Sequence, residues 1–163
     1  MFNRSRLAAL AATALTATAL IASTADGKTK VGGAPAPRTD SGVSDASITH
    51  TSNGLQIAAG NNYDKVLGEG AITYRLKLLP AGNGTFSVTV PKVVLYTASG
   101  SITGTASAKV AVNGSAETIT NGKLNLTKGA GSLKGHQFSG TFTGTGDLAK
   151  NLITFKYKGI LTS

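Results

Sequence analysis

The sequence predicts an all-β domain, a small antiparallel β-barrel of about eight strands. Three observations carry this. Apolar and polar residues alternate with period two in segment after segment, the pattern of half-buried strands. Asn-Gly pairs recur at Asn53-Gly54, Asn83-Gly84, Asn113-Gly114 and Asn121-Gly122, and such pairs tolerate the positive φ that tight hairpin turns require. Gly, Ser and Thr are dense and Cys is absent, which suits short strands and tight turns and leaves the core to hold the fold without disulfides.

Taken along the chain, Ile48–Thr51 and Leu55–Ala58 read as a first hairpin. The residues around Tyr63–Leu67 form the single place where a helical turn is expected. Ile72, Tyr74, Leu76 and Leu78 alternate with Thr73, Arg75 and Lys77, giving a strand with one apolar and one wet face. Phe86, Val88 and Val90 share a face, and Pro91 ends or bends that strand because it has no N–H to donate. Val93–Thr97 continues it. Ile102, Ala106, Ala108, Val110 and Val112 share one face of a long strand. Glu117–Thr120 and Lys123–Thr127 read as two shorter strands, with Asn121-Gly122 as the turn between them. Phe138, Gly140 and Phe142 share a face, as do Ile153, Phe155 and Tyr157. An open sheet would leave one apolar face bare, whereas a barrel hides that face and removes the edges. A two-sheet sandwich solves the same problem and is the alternative.

The 163 residues have room for one domain. Residues 1–25 have the layout of a bacterial-type signal peptide. Arg4 and Arg6 form the positive start, Leu7–Ile21 is uncharged and apolar, and small Ser23 and Ala25 place cleavage after Ala25. The apolar stretch is shorter than the roughly 20 residues that span a bilayer. Export of a soluble, secreted chain follows, with no transmembrane segment in the mature protein. Residues 26–46 are rich in Gly, Pro, Ser and Asp without apolar period and read as a flexible linker or tail. Residues 47–163 are the barrel domain.

The net charge is +9, with charged residues only 14% of the chain. The lysines are spread singly along the strands, with no basic run and no RNA-binding aromatic motif, so no specific nucleic-acid binding is expected. A solvated, solubilising face is the simplest reading. A surface or adhesion module using the lysine-bearing faces is a further one. An outer-membrane barrel would turn its apolar face outward behind aromatic girdles, and this chain has no Trp and few Tyr or Phe.

Chemistry-bearing motifs are sparse. Zero Cys removes thiolate nucleophiles and thiolate metal sites. His50 and His136 have no second His at metal-ligand spacing, so no metal and no cofactor is expected. The acids falling in the expected domain are Asp64, Glu69, Glu117 and Asp147, and no two of them sit at strand spacing on one face. No Gly-x-Ser-x-Gly elbow precedes a helix. Gly129–Gly135 lacks the following helix that a phosphate loop needs, and reads as a tight turn. The sequons at Asn83, Asn113 and Asn125 matter only in a eukaryotic secretory route, and the leader looks bacterial.

The C-terminal half carries a more specific pattern. Gly100-Ser-Ile-Thr-Gly104 leads the long strand. Gly129-Ala130-Gly131-Ser132-Leu133-Lys134-Gly135-His136 follows the strand-like Leu124–Thr127. Then come Phe138-Ser-Gly140-Thr-Phe142-Thr-Gly144-Thr-Gly146 and Phe155-Lys-Tyr157-Lys-Gly159. From Gly100 to Leu161 the chain resembles the allene oxide cyclase and dirigent-like barrel superfamily, whose members carry a Gly-x-Gly-x-aromatic-x-Gly turn late in the barrel. Leu133 stands where an aromatic is common and Ala130 where Thr is common. The resemblance implies an eight-stranded antiparallel barrel with an apolar interior. It transfers no catalytic acid onto this chain.

The expected function is therefore a non-catalytic binding module for a small apolar ligand. Tyr74, Phe86, Phe142, Phe155 and Tyr157 fall on apolar faces and would line the interior; Glu69, Glu117 and His136 are the candidate polar pocket residues. The alternative implied by the resemblance is an isomerase or cyclase using a buried polar residue such as Glu69, Tyr74 or Glu117.

Overall fold

The computed structural model describes residues 35–163. The expected signal peptide lies outside the described residues, as does the expected linker up to residue 34. Eight strands follow one another: β1 Arg38–Ser52, β2 Leu55–Asp64, β3 Gly68–Gly82, β4 Thr85–Thr97, β5 Gly100–Asn113, β6 Ala116–Gly131, β7 Gln137–Asp147 and β8 Leu152–Thr162. Each pairs antiparallel with the next, and β8 returns to β1, so the sheet is a closed barrel. Closure excludes the sandwich. In the seam, Asp40 stands opposite Gly159, Gly42 opposite Tyr157 and Ser44 opposite Phe155.

Two expectations are corrected at the N-terminal side. Arg38–Ala46, read as linker, forms the first nine residues of β1. The residues facing inward there are Asp40, Gly42, Ser44 and Ala46, which are polar or small and so lack an apolar signature. The helical turn expected around Tyr63–Leu67 is the end of β2 and a tight turn. Oδ1 of Asp64 accepts from the N–H of Val66 (2.9 Å) and of Leu67 (2.7 Å), which holds that turn without a helix.

Pro91 acts as expected: β4 runs through it, with its register against β5 shifting between Val90 and Val93. Asn121-Gly122 acts differently. β6 is one continuous strand, and the pair forms an irregularity within it, marked by a register shift against β7 between Ile119 and Gly122 and by a positive φ of 53° at Asn121. The turn joining β6 to β7 is instead the glycine-flanked segment after Gly131.

The chain enters the barrel at what we call the near end, together with the β2–β3, β4–β5 and β6–β7 turns. The other four turns ring the far end. There Asn151, at φ 51°, donates from Nδ2 to the Ile48 carbonyl (2.8 Å) and accepts at Oδ1 from the Ile48 N–H (3.1 Å). Its side-chain amide thus extends the β1·β8 ladder by one backbone-like pair.

The core is the barrel interior. Ile72, Leu95, Ile102, Leu126 and Leu161 are fully buried there. The outward faces carry exposed Arg75, Lys77, Lys92, Lys109, Lys123, Lys156 and Lys158, the reverse of the arrangement a lipid-facing barrel needs. Among the described residues no helix is long and apolar enough to cross a membrane.

Candidate functional site

An eight-stranded barrel has an interior just wide enough to be filled by side chains or to hold one small ligand. Here the interior divides into an apolar cavity reaching toward the far end and a polar plug at the near end.

The cavity has a volume of about 90 Å³. A water takes about 30 Å³ of the liquid, so this is room for a few waters or one ring, well below the roughly 300–1,000 Å³ of a drug-sized pocket. Its walls include Ile72, Leu76, Val88, Val90, Val93, Leu124 and Ile153, with Phe142 and Phe155 forming an aromatic side. The space exists because the inward positions Ala106 and Ala108 of β5 are small. The aromatics are held by backbone: Phe142 stands opposite Gly122 and Phe155 opposite Gly144. A Cβ on Gly122 would run into the Phe142 ring and one on Gly144 into the Phe155 β-carbon, so the Phe142 ring lies over a bare stretch of β6 and the base of Phe155 sits against one of β7. Phe155 packs obliquely on Phe142 at 5.6 Å and edge-on against Tyr74 at 6.1 Å.

Three polar side chains reach this cavity: Gln56, Tyr74 and Glu117. The Tyr74 hydroxyl is buried and has no hydrogen-bond partner. Burial, followed by the nearby Glu117 charge, pushes its ionisation upward. Glu117 is half-buried, and desolvation raises its carboxyl above the usual range. The walls are otherwise greasy, so these groups are where a bound molecule would place a polar atom.

The plug is built on β1, β2 and β8. Asp40, Ser44, Asn62 and Asp64 are the buried polar residues, with Asp40 2% and Ser44 0% exposed. Ser44 Oγ donates to Asn62 Oδ1 (2.5 Å). The Tyr157 hydroxyl lies 2.7 Å from Asp64 Oδ2 and 3.1 Å from Asn62 Oδ1. The Tyr157 ring lies over Gly42, where any Cβ would collide with the phenol. Asp40 Oδ1 accepts from the Ser41 N–H (2.7 Å), while Asp40 Oδ2 and Asn62 Nδ2 are buried without partners. Burial and the neighbouring Asp64 charge push the Asp40 carboxyl up to about 6. Burial and the bond to Asp64 push the Tyr157 phenol upward as well.

Of the residues expected to line the interior, Tyr74, Phe142 and Phe155 line the cavity. Tyr157 is buried but belongs to the plug, edge-on to Phe138 at 5.7 Å. Phe86 is half-buried, outside both the cavity wall and the main core cluster. Glu117 reaches the cavity. Glu69 is exposed, because it lies one residue out of phase with inward-facing Gly70 and Ile72. His136 sits half-buried beside the β6–β7 turn, its Nδ1 buried without a partner and its side chain outside the cavity wall. His50 is exposed. Among the described residues no group of three or more His, Cys, Asp or Glu could hold a metal ion.

The buried pair Asp40 and Asp64 escapes a reading of the sequence alone. Asp40 falls in the stretch that reads as linker, and its partner lies on the next strand, so no short spacing joins the two. The available signal is the alternation Asp40-x-Gly42-x-Ser44-x-Ala46-x-Ile48, which has strand period without apolar content. No protein-family model, no curated protein and no solved structure matches this chain.

Proposed function

We propose that this chain is an exported, non-catalytic binding protein whose barrel holds a small apolar molecule bearing one polar atom. The observation that carries the reading is the Tyr74 hydroxyl, buried without a partner at the wall of an apolar cavity. Leaving such a group unsatisfied costs about 1–3 kcal/mol, and a ligand atom accepting from it recovers part of that. The cavity volume limits the buried part of the ligand to a single ring or a short chain. The eight antiparallel strands support the resemblance to the allene oxide cyclase and dirigent-like barrels in architecture, which by itself assigns no activity. The signal-peptide layout of residues 1–25 supports export.

The proposal is tested by incubating the purified protein with a lipophilic extract, removing free material and recording native mass spectra. A discrete small adduct, lost in Ala108→Leu, is expected. Spectra with no adduct would reject the reading.

A second reading, an isomerase or cyclase, is favoured by one observation: Glu117, its carboxyl raised by burial, lies near Tyr74 in the same cavity. It requires the bound molecule to leave chemically changed. Recovery of the adduct unaltered from the wild-type protein counts against it.

A further inference from the structure

We propose that the outer surface over β6, β7, β8 and β1 binds a linear anionic polysaccharide. The groove shares Phe142 with the cavity wall, but its lysines face outward, and the inference does not depend on what the cavity holds. An open groove of about 710 Å³ lies over β7, β8, β1 and the β2–β3 turn, with Lys65, Lys156 and Lys158 among its walls, and β6 borders it beside β7. The strand register aligns the charges. Lys158 stands between Ser41 of β1 and Thr141 of β7, and Thr141 in turn faces Lys123 of β6. Lys65 closes the other side of the row, its N–H donating to the Ser41 carbonyl at 3.0 Å. Strands lie about 4.8 Å apart, so Lys158 stands roughly 10 Å along the row from Lys65 on one side and from Lys123 on the other. Lys156, two residues from Lys158 on the same face, widens the row to a band.

All four lysines are exposed, and none pairs with an acid among the described residues, where Lys150–Asp147 is the ion pair present. Glu69 is the one exposed acid in the groove, at its edge and opposite Tyr63 in the register. The chemistry between the charges selects the class of polymer. Ser41 and Thr141 present hydroxyls to a hydroxyl-rich chain, and Tyr63, 47% exposed, offers a flat face for a sugar ring. No arginine lines the groove, whereas phosphate and base recognition in nucleic acids favours its planar fork.

The test uses the full chain with dextran sulfate, and with dextran of the same length as the neutral control. Binding is followed by calorimetry at low and at physiological salt. Dextran sulfate should bind and dextran should not. Affinity should weaken steeply with salt, because exposed charges are screened over about 8–10 Å in that range. Lys156→Gln/Lys158→Gln should weaken binding at least tenfold with an unchanged melting temperature. Lys92→Gln/Lys109→Gln on the opposite wall removes the same charge and should weaken it less than twofold. Equal losses in the two double variants would show that net charge alone attracts the polymer and would overturn the proposal. So would failure of the wild type to bind at low salt, or equal binding of uncharged dextran. If single-stranded oligonucleotides bind more tightly than dextran sulfate at equal charge, the polysaccharide assignment falls.

Discussion

The hydroxyl of Tyr157 lies 2.7 Å from Oδ2 of Asp64, joining β8 to β2 across the intervening β1. The phenol lies directly over Gly42, so beyond the β1·β8 backbone ladder the closing seam is braced by this buried hydroxyl, which fits because no side chain stands beneath it. Tyr157→Phe leaves Asp64 Oδ2 buried without its donor, and a loss of about 1–3 kcal/mol is expected in urea unfolding. Gly42→Ala places a methyl against the same hydroxyl and the Tyr63 carbonyl. It should destabilise the wild type more than it does Tyr157→Phe, which lacks the hydroxyl.

Asp40 gives the fold a pH dependence of defined sign. Its carboxyl is raised from 3.8 to about 6 by burial and by Asp64, so the folded chain holds that proton more tightly than the unfolded chain does. The contribution is fully present below 3.8, declines as the pH rises through the folded value near 6 and is absent above it. The decline is at most about 3 kcal/mol, at about 1.36 kcal/mol for each pH unit separating the two values. Asp40→Asn should remove it, so the difference in unfolding free energy between wild type and variant should change across this window and be constant above it. A difference independent of pH would contradict the coupling.

At the far end, Asn151 makes two hydrogen bonds to the backbone of Ile48 from a positive-φ position. Asn151→Gly keeps the backbone conformation and loses the bonds; Asn151→Ala loses both. A cost of about 1 kcal/mol is expected for Gly and more for Ala. Faster amide exchange at Ile48 in both variants should mark the opened seam.

Filling the cavity should separate ligand binding from folding. Ala108→Leu adds three carbons on the β5 wall of a space of about 90 Å³. Unfolding free energy should change by less than about 1.5 kcal/mol in either direction, because gained burial offsets strain. Ligand uptake should disappear.

The sequence reveals those parts of the fold in which apolar content and strand period coincide. Ile72–Leu78 and Ile102–Val112 read correctly because every second residue is inward and mostly greasy. The first half of β1 does not read, because its inward residues Asp40, Gly42 and Ser44 face Asn62, Asp64 and Tyr157 rather than a hydrophobic core. Its strand character comes from partners on β2 and β8, and β8 is more than 100 residues away in sequence. Asn121-Gly122 misleads for a related reason. The local residues permit a hairpin, but pairing of β6 with both β5 and β7 uses the positive φ of Asn121 for an irregularity. The cavity is half legible: Tyr74, Phe142, Phe155 and Glu117 stand out in the sequence, while the small Ala106 and Ala108 that create the space carry no signal.

The most direct measurement is a titration of the full chain with phenol and with benzene, followed through the methyl resonances of Ile72, Val90 and Leu124. Both should perturb these methyls, and phenol should bind roughly five- to tenfold more tightly, the worth of one hydrogen bond from Tyr74. Tyr74→Phe should erase that preference while keeping benzene binding. Unperturbed methyls with either compound, or an undiminished preference for phenol in Tyr74→Phe, would contradict this binding mode.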